Sequence, residues 1–587
     1  MGRLDEPWVV DNPPSRRYPI YTRGNVGEVF PDPVTPLTWT IGGRPGGEPG
    51  WRDALVRFGA FDEDEFDPDE IEVLGVFGGY CYLNVSISRI LGARVPGLTP
   101  EQIDFSIFGE QPGVPPYQAA PTDDRPDLTA KSGRTLQWIL TADGLPELVE
   151  EQQFVERLRA ERPDLGSLDD ADLVARAREL FGTHFRRQFG QHLFITYAAT
   201  VPVGIIHGAS AALGDPTLAM CLVAGLGGVD SAAPSWALWD LGRMVAGSAA
   251  LTAAFEAGPD RLPDRLRALG GDGDRFFAAF DRFLYDFGSR GPNEWEMRSP
   301  TWETDPGLAL TAIDRMRRAP DDESPDASNA AVAGERERLG ASLLEQLAGD
   351  AAAAAQVGAA LRAAAIFLPG RERSKTTIIR LVHESRMAMR ELGRRLVERG
   401  QFDDAGDFAF LRLEELDELL ADPSSVAGRI AERKAWYAEL AEREPPFLVV
   451  GEPTTPATWP RRHEAPVEVA RTGDVLTGIP GCPGSATGRA RVLQDPGDPT
   501  VLEPGDVLVA PITDPSWTPL FVPAAAVVVD VGAQLSHAVI VSRELGIPCV
   551  VSVTDATRRI ADGASVTVDG TTGTVTVVEA PALATAG

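Results

Sequence analysis

The stretch Val531-Gly-Ala-Gln-Leu-Ser-His-Ala-Val-Ile-Val-Ser-Arg-Glu-Leu-Gly-Ile-Pro548 predicts the fold of the last part of the chain. The run 524–531, apolar except for Asp530, is typical of a buried strand, and a loop opens at Gly532. Ser536 stands where a helix N-cap is expected, and the helical pattern ends near Gly546. We therefore expect a strand, a short loop and a helix that begins at His537.

The start of a helix suits a histidine that carries a phosphoryl group. The first helical turn leaves backbone N–H groups unpaired and carries partial positive charge, so a phosphoryl group on His537 would find donors there. A neutral imidazole nitrogen is also a nucleophile near neutral pH. Helix placement alone leaves open the alternative of an ordinary structural histidine that is hydrogen-bonded to a neighbour.

Four further blocks flank this histidine. They are Gly481-Cys-Pro-Gly-Ser-Ala-Thr-Gly-Arg-Ala-Arg491, Gly505-Asp-Val-Leu-Val-Ala-Pro511, Asp514-Pro-Ser-Trp-Thr-Pro519 and Asp562-Gly-Ala-Ser-Val-Thr-Val-Asp-Gly-Thr-Thr-Gly573. In this order they resemble the swivelling phosphohistidine domain of the phosphoenolpyruvate-utilising enzymes, a family that includes phosphoenolpyruvate synthase, pyruvate phosphate dikinase and the rifampicin phosphotransferases. The resemblance implies that His537 is phosphorylated and that its domain swings between a donor site and an acceptor site.

The histidine segment departs from the family pattern at two positions. The family often has two glycines and a threonine before Ser-His, whereas this chain has Ala533 at the second glycine and Leu535 at the threonine. Leucine at that position is expected in the rifampicin phosphotransferase branch. It argues against control by phosphorylation of a threonine there, although Ser536 remains.

The composition bounds the size and the partners of the protein. The 587 residues are 43% hydrophobic, which is enough for two or three domains with large cores. The 55 Lys and Arg residues against 86 Asp and Glu residues give a net charge of −31. Nucleic acid and anionic membranes need a basic surface, so neither is expected as a partner. An anionic substrate would need a local basic pocket.

The four cysteines are widely separated and have neither metal-ligand spacing nor the pattern of a disulfide framework. We expect small buried thiols in a reducing compartment and no resident metal. The N-terminal residues lack an apolar signal segment, and no run of about 18 apolar residues indicates a membrane span. The alanine-rich stretch 351–365 is interrupted by Gln356, Gly358 and Arg362, which favours a packed helix. The prediction is a cytoplasmic protein.

Residues 446–478 are predicted to form a linker, because prolines recur there and the pattern then changes from helical to short strands and turns. An ordinary surface loop has the same composition, so the linker depends on the histidine domain beyond it. The predicted fold is multidomain. A large, mainly α acceptor-binding domain at 1–445 is followed by a small α/β swivelling phosphohistidine domain at 479–580, and apolar residues at helical spacing indicate the helices of the first domain.

Several blocks of the helical region resemble the acceptor-binding domain of the rifampicin phosphotransferases, although less specifically than the segment around His537. They are residues 25–37, 288–306, 371–375 and 406–416. The resemblance implies that this region binds the molecule that accepts the phosphoryl group.

Arg371 and Lys375 lie four residues apart, so on a helix they share one face and are able to clamp a transferring phosphoryl group. Lys375 is one of three lysines in the chain, with Lys131 and Lys434. Spacing alone favours the alternative, a solvated helix face that pairs with Glu372. The family resemblance favours the phosphoryl-binding role.

The segment 288–306 carries Arg290 and Glu294, which we predict to bind the phosphoryl group or the acceptor. A carboxylate beside an acceptor hydroxyl is suited to act as a general base, and the tryptophans of this segment are suited to an apolar pocket. A buried structural ion-pair network is the equal alternative.

The other five histidines lack zinc-ligand spacing and are expected to be core or surface residues, with His383, two turns beyond Lys375, placed to lie near the site. They are His184, His192, His207, His383 and His463.

The sequence offers His537 an acceptor site but no donor site. It shows no glycine-rich phosphate loop with an attendant lysine, no recognisable nucleotide-binding domain of the family and no barrel for phosphoenolpyruvate. The leading hypothesis is a phosphotransferase subunit in which a separate ATP-binding protein, with Mg²⁺, phosphorylates His537. The phosphoryl group then passes to a hydroxyl of a small apolar molecule. The alternatives are a non-catalytic binding protein whose histidine domain is a lid or regulatory phosphocarrier, and a complete enzyme with another phosphoryl donor.

Overall fold

The computed structural model of the protein describes residues 3–108, 113–215, 217–321, 324–462, 467–496, 502–534 and 536–581. The chain divides into two compact units, each assembled from separate stretches. The first unit comprises Met1–Val201, Asn293–Ser299 and Ile366–Pro466, and the second comprises Pro202–Pro292, Pro300–Ala365 and Val467–Gly587. The predicted multidomain class, helical before the linker and α/β after it, is confirmed. The predicted domain bounds stay predictions.

Helices make up most of the residues before the linker. In chain order the α-helices are α1 (Val26–Val29), α2 (Pro36–Thr38), α3 (Glu48–Phe58), α4 (Val85–Arg94), α5 (Pro100–Phe108), α6 (Pro126–Thr141), α7 (Pro146–Ala160), α8 (Asp170–Leu180), α9 (Arg186–Ala212), α10 (Leu218–Leu222), α11 (Ala233–Ala246), α12 (Ala249–Glu256), α13 (Leu262–Arg267), α14 (Gly271–Phe287), α15 (Pro306–Met316), α16 (Pro325–Gln346), α17 (Ala351–Glu398), α18 (Leu416–Ala421), α19 (Pro423–Ala441), α20 (Thr518–Phe521), α21 (His537–Leu545) and α22 (Ala556–Arg559). Segments with π-helical pairing are Trp39–Gly47 and Phe181–Phe185, and 3₁₀ turns are Arg3–Asp5, Glu63–Glu65, Leu165–Ser167, Asp407–Phe410, Leu413–Glu415, Pro456–Thr458 and Pro515–Trp517.

The first unit contains a small antiparallel sheet. Its strands are β1 (Ile20–Thr22), β2 (Leu74–Phe77), β3 (Tyr80–Asn84) and β4 (Leu448–Val450), in the order β2-β3-β1-β4. Gly78 and Gly79 join β2 to β3 with φ values of 55° and 84°. A two-residue hairpin turn needs such left-handed backbone, which glycine adopts without steric cost.

The second unit contains an eight-stranded mixed sheet. Its strands are β5 (Val475–Thr477), β6 (Ile479–Cys482), β7 (Ser485–Val492), β8 (Val507–Ala510), β9 (Ala526–Val529), β10 (Cys549–Val551), β11 (Ser565–Asp569) and β12 (Thr574–Glu579), in the order β5-β12-β11-β7-β8-β9-β10-β6. The neighbours β7, β8, β9 and β10 run parallel, and the other pairs are antiparallel.

Strand β9 is buried on both faces of this sheet. Val527 and Val529 belong to one core cluster, whereas Ala526 and Val528 belong to the cluster on the opposite face. Successive side chains of a strand point to opposite faces, so a strand covered on both sides needs an unbroken apolar run. The buried strand predicted within residues 524–531 is therefore confirmed.

The predicted helix is confirmed as α21, and it connects β9 to β10. Gly546 ends the helix with a left-handed φ of 68°, and its N–H donates to the carbonyl oxygen of Ser542. The helix contributes Ala538, Val541 and Leu545 to the core cluster of the second unit. This packing fixes the helix that begins at His537. Leu535, one of the two departures from the family pattern, lies outside the described residues, as does His463.

The four cysteines are free thiols, with Cys81, Cys482 and Cys549 buried and Cys221 partly buried. The helical segments Asp170–Ala212 and Ala351–Glu398 are both long and apolar enough to cross a membrane, contrary to the prediction that the chain has no apolar run of that kind. In their most apolar windows, 44% and 28% of the residues are buried in the protein. Length and composition are weak evidence for a span, since core helices have the same properties, and cytoplasmic location stays a prediction.

Candidate functional site

His537 is the first residue of α21, and its side chain is buried against the aromatic ring of Phe521. The two ring centroids lie 5.9 Å apart with the planes nearly perpendicular. Ser536 precedes it with the extended backbone of an N-cap residue, and its carbonyl oxygen accepts the N–H of Ile540. The Ser536 side chain makes no capping bond, and its buried Oγ has no hydrogen-bond partner among the described residues.

Both ring nitrogens of His537 lie within hydrogen-bond distance of threonine hydroxyls. Nε2 lies 3.2 Å from Oγ1 of Thr518, and Nδ1 lies 3.2 Å from Oγ1 of Thr513. A neutral imidazole has one donor and one acceptor nitrogen, and a hydroxyl serves either role, so one threonine accepts while the other donates. The hydroxyl groups of Thr513 and Thr518 together fix the plane of the His537 ring at the N-terminus of α21.

The two threonines flank a turn that follows strand β8. The carboxylate of Asp514 accepts the N–H of Ser516 at 2.8 Å and stabilises this turn. The block Asp514–Pro519 was one of the motifs that carried the family resemblance, but sequence alone gave neither Thr513 nor Thr518 a role. Their contact with His537 arises because β8 and β9 are parallel neighbours, which places the segments after both strands at one edge of the sheet.

A second group of polar residues lies in the first unit. Nζ of Lys375 lies 3.2 Å from Oε1 of Glu294, whose side chain is 2% exposed. Both residues were predicted to bind the phosphoryl group or the acceptor, and the structure brings them together. Arg371 shares helix α17 with Lys375 and forms an ion pair with Glu372. The ion pair between Arg371 and Glu372 was the alternative to a phosphoryl-binding role. The Glu372 side chain is 4% exposed, however, so the pair does not lie on the solvated helix face that this alternative assumed.

His192 joins this group, which sequence analysis did not anticipate. Its Nδ1 lies 2.9 Å from Oγ of Ser374, and the same hydroxyl donates to the carbonyl oxygen of Arg371 at 2.8 Å. Burial, with the charges of Arg371 and Lys375, lowers the pKa of His192 to about 3, so the ring is neutral. The one signal in the sequence was a histidine directly before the apolar residues 193–195, a position that more often marks a satisfied core histidine.

Two other charged residues of the segment 288–306, Glu296 and the predicted Arg290, make different contacts. Glu296 accepts hydrogen bonds from Oγ1 of Thr35 at 2.6 Å and Oγ1 of Thr38 at 2.5 Å, so its carboxylate anchors helix α2. Arg290 is a buried residue of the second unit, where its carbonyl oxygen accepts the N–H of Trp302 at 2.8 Å. Its predicted phosphoryl-binding role stays a prediction. His383 is buried, with Nδ1 3.4 Å from a guanidinium nitrogen of Arg386.

The described residues contain no group of three or more His, Cys, Asp or Glu side chains that is arranged to hold a metal ion. The prediction that the chain itself has no resident metal or nucleotide is not tested by this observation.

Two segments of the chain match known protein families. Residues 502–573, which include His537, match the PEP-utilising enzyme, mobile domain. Residues 191–372, which include His192 and Arg371, match the rifampicin phosphotransferase fourth domain. The predicted resemblance to the phosphoenolpyruvate-utilising enzymes is thereby confirmed.

Within that class, the similarity is to the rifampicin phosphotransferases and related transferases. The rifampicin phosphotransferase of Streptomyces sviceus is 30% identical over 328 residues, which cover 54% of this chain and 36% of that protein. The prodigiosin synthesizing transferase of Serratia marcescens is 31% identical over 315 residues, covering 51% of this chain and 33% of that protein. An uncharacterized protein of Mycobacterium tuberculosis is 28% identical over 582 residues, covering 97% of this chain and 62% of that protein. The chain thus spans less than two thirds of the length of these relatives.

Proposed function

We propose that the protein is a cytoplasmic phosphotransferase subunit that works through a phosphohistidine at His537. A separate ATP-binding protein, with Mg²⁺, supplies the phosphoryl group, and a hydroxyl of a small apolar molecule receives it. The observation that carries the proposal is the position of His537 at the start of α21, where Thr513 and Thr518 hold its two ring nitrogens.

In the first step a ring nitrogen of His537 attacks a phosphorus atom of ATP. A nitrogen–phosphorus bond forms, the bridging phosphorus–oxygen bond breaks, and the nucleotide leaves with the bonding electrons. The N–H groups in the first turn of α21 favour the added negative charge. Since the threonine on the attacked side has a rotatable hydroxyl, it can redirect its hydrogen from the ring nitrogen to an oxygen of the phosphoryl group without moving the ring.

In the second step the acceptor hydroxyl attacks the phosphorus atom. An oxygen–phosphorus bond forms, the nitrogen–phosphorus bond breaks with its electron pair returning to His537, and the hydroxyl proton passes to a base beside the acceptor. Negative charge on the transferring group needs fixed cations, which Lys375 and Arg371 supply. The rings of Phe189 and Trp295, whose centroids lie 5.9 Å apart, offer an apolar surface beside these charges.

Labelling with radioactive ATP tests the proposal directly. The purified chain is incubated with Mg²⁺, labelled ATP and an extract of its source cells, which supplies the ATP-binding partner. We expect acid-labile phosphate on the wild type and none on His537→Ala. His207→Ala is the matched control, because His207 is an exposed histidine of the same unit. Full labelling and phosphoryl transfer by His537→Ala would show that the mechanism is wrong.

A further inference from the structure

Helix α9 buries an amide that has no hydrogen-bond partner. Gln188 is 1% exposed, and neither its Nε2 nor its Oε1 atom has a partner among the described residues. Leaving a buried donor and acceptor unpaired is unfavourable, and native proteins rarely do so without a reason. Gln188 lies one helical turn before His192, so the two side chains project from the same face of the helix.

The hydrogen bonds of His192 determine which of its nitrogens carries the proton. The hydroxyl of Ser374 donates its hydrogen to the Arg371 carbonyl, so it can only accept from the ring. Nδ1 therefore carries the proton, and Nε2 of the neutral ring keeps a lone pair. The ring also donates to the backbone carbonyl of Arg371, which agrees with a protonated Nδ1 on the side of Ser374. Nε2 of His192 is thus a proton acceptor on the same helix face as the unpaired amide of Gln188.

Trp295 completes this group with another buried polar atom. Its indole Nε1 has no hydrogen-bond partner among the described residues, and its ring centroid lies 6.4 Å from that of His192. The Trp295 ring also contacts Phe189, which lies on α9 between Gln188 and His192. An apolar surface with a few unpaired polar groups is typical of a small-molecule site.

Fixed charges lie next to this group. The pair of Lys375 with Glu294 and the guanidinium of Arg371 lie close enough to His192 that the two cations disfavour a positive charge on the ring. A phosphoryl group bound to these cations would offset their charge. The ring would then become a stronger base at the moment when a phosphoryl group is present.

We propose that Gln188 and His192 bind the hydroxyl of the phosphoryl acceptor and that Nε2 of His192 takes its proton. This inference rests on the proposed phosphotransferase function. As the hydroxyl oxygen bonds to phosphorus, its proton moves to Nε2, the ring becomes an imidazolium, and the phospho-histidine nitrogen leaves with its electron pair. The Gln188 amide donates to and accepts from polar groups of the same acceptor, whose apolar body lies against Phe189 and Trp295.

Nuclear magnetic resonance of the full chain with ¹⁵N-labelled histidine tests the inference, since the chain has only 6 histidines. Phenol is the probe, as the smallest molecule with a hydroxyl on an apolar ring. We expect His192, assigned with His192→Asn, to show a protonated Nδ1 and an unprotonated Nε2. Phenol should shift the Nε2 signal saturably. Gln188→Leu should weaken this binding by up to about tenfold, the loss of one or two hydrogen bonds.

The matched control is Gln153→Leu, which changes an exposed glutamine of the same unit and should leave phenol binding unaltered. Gln188→Leu should fold, because it replaces an unpaired buried amide with an apolar group of similar size, and the other histidine signals report this. Ser374→Ala should disturb the tautomer of His192. A proton on Nε2, no shift with phenol, or equal binding by Gln188→Leu would overturn the inference. Labelling of His537 by ATP is measured separately, so failure of the proposed function is distinguishable from failure of this site.

Discussion

Nζ of Lys375 lies 3.2 Å from Oε1 of Glu294, and the carboxylate is far more buried than the ammonium group. A charge removed from water needs its partner, so breaking the pair should cost more than the pair itself contributes. We predict that Lys375→Met lowers the free energy of unfolding by about 3 kcal/mol, measured by urea denaturation. The double variant Lys375→Met/Glu294→Gln should recover much of that loss. Equal stability of the wild type and Lys375→Met would contradict a buried pair.

The same variants separate stability from phosphoryl binding. The double variant regains stability but lacks the Lys375 cation, one of the two that balance a phosphoryl group, so it should retain labelling of His537 and lose most of the transfer to the acceptor. Lys131→Met is the control, because Lys131 lies at the surface of the first unit beside Asp62. Transfer by the double variant at the wild-type rate would show that Lys375 does not bind the phosphoryl group.

The threonines that contact His537 should control how readily it is phosphorylated. Thr513→Val and Thr518→Val each remove a hydroxyl 3.2 Å from a ring nitrogen while keeping a β-branched side chain. We predict about a tenfold slower labelling of His537 in each variant, as expected for one hydrogen bond that orients the ring. Thr311→Val, at an exposed position of helix α15 in the same unit, should label normally. Normal labelling of both site variants would show that the hydroxyls do not orient the ring.

Much of the structure around His537 could be predicted because it is local. The strand β9, the N-cap position of Ser536 and the end of α21 before Gly546 depend on residues close in sequence. The contacts with Thr513 and Thr518 depend instead on the strand order of the sheet, which periodicity does not determine. His192 shows the same limit, because its partner Ser374 lies on another helix far along the chain.

The helical spacing of Arg371 and Lys375 predicted a shared face. In the structure the two cations have different partners, because Arg371 pairs with Glu372 and Lys375 pairs with Glu294. The tautomer of His192 and the unpaired amide of Gln188 follow only from side-chain geometry. The family resemblance pointed to the right region of the chain, but it could not distinguish Glu294, which pairs with a lysine, from Glu296, which anchors helix α2.

Asp530 should make the stability of the protein depend on pH. Burial raises its pKa from 3.8 to about 7, although Thr557 donates hydrogen bonds to it. Between about pH 4 and pH 7 the folded state therefore keeps a proton that the unfolded state loses, so this contribution to stability is complete below pH 4 and lost as the pH rises to 7. The contribution is at most about 4 kcal/mol.

The Asp530→Asn variant isolates this effect, because Asn does not titrate. Chemical denaturation of the wild type should show stability that falls from about pH 4 to pH 7 relative to the variant. Asp11 and Glu151, whose pKa values burial also raises to about 7, contribute equally to both proteins and cancel in the difference. Asp562→Asn, at an exposed position, should follow the wild type. A constant difference between wild type and Asp530→Asn across this range would show that Asp530 does not hold its proton.

Gly546 tests whether the end of α21 is fixed by backbone conformation and by packing together. Its left-handed φ of 68° disfavours any side chain, and a Cβ atom there would lie 2.7 Å from Cγ2 of Val332 on helix α16. Gly258 has a left-handed φ of 90° just after helix α12, but a Cβ atom would meet nothing within 4 Å.

We predict that Gly258→Ala lowers the free energy of unfolding by about 1 kcal/mol, the conformational term alone. Gly546→Ala should lose about 2 to 3 kcal/mol, because overpacking against Val332 adds to that term. Adding Val332→Ala to Gly546→Ala should bring the additional cost of the glycine change back to that of Gly258→Ala, as measured by a double-mutant cycle. Equal losses for the two glycine variants would mean that α21 is not packed tightly against α16. The packing against α16 would then not fix the position of the helix that begins at His537.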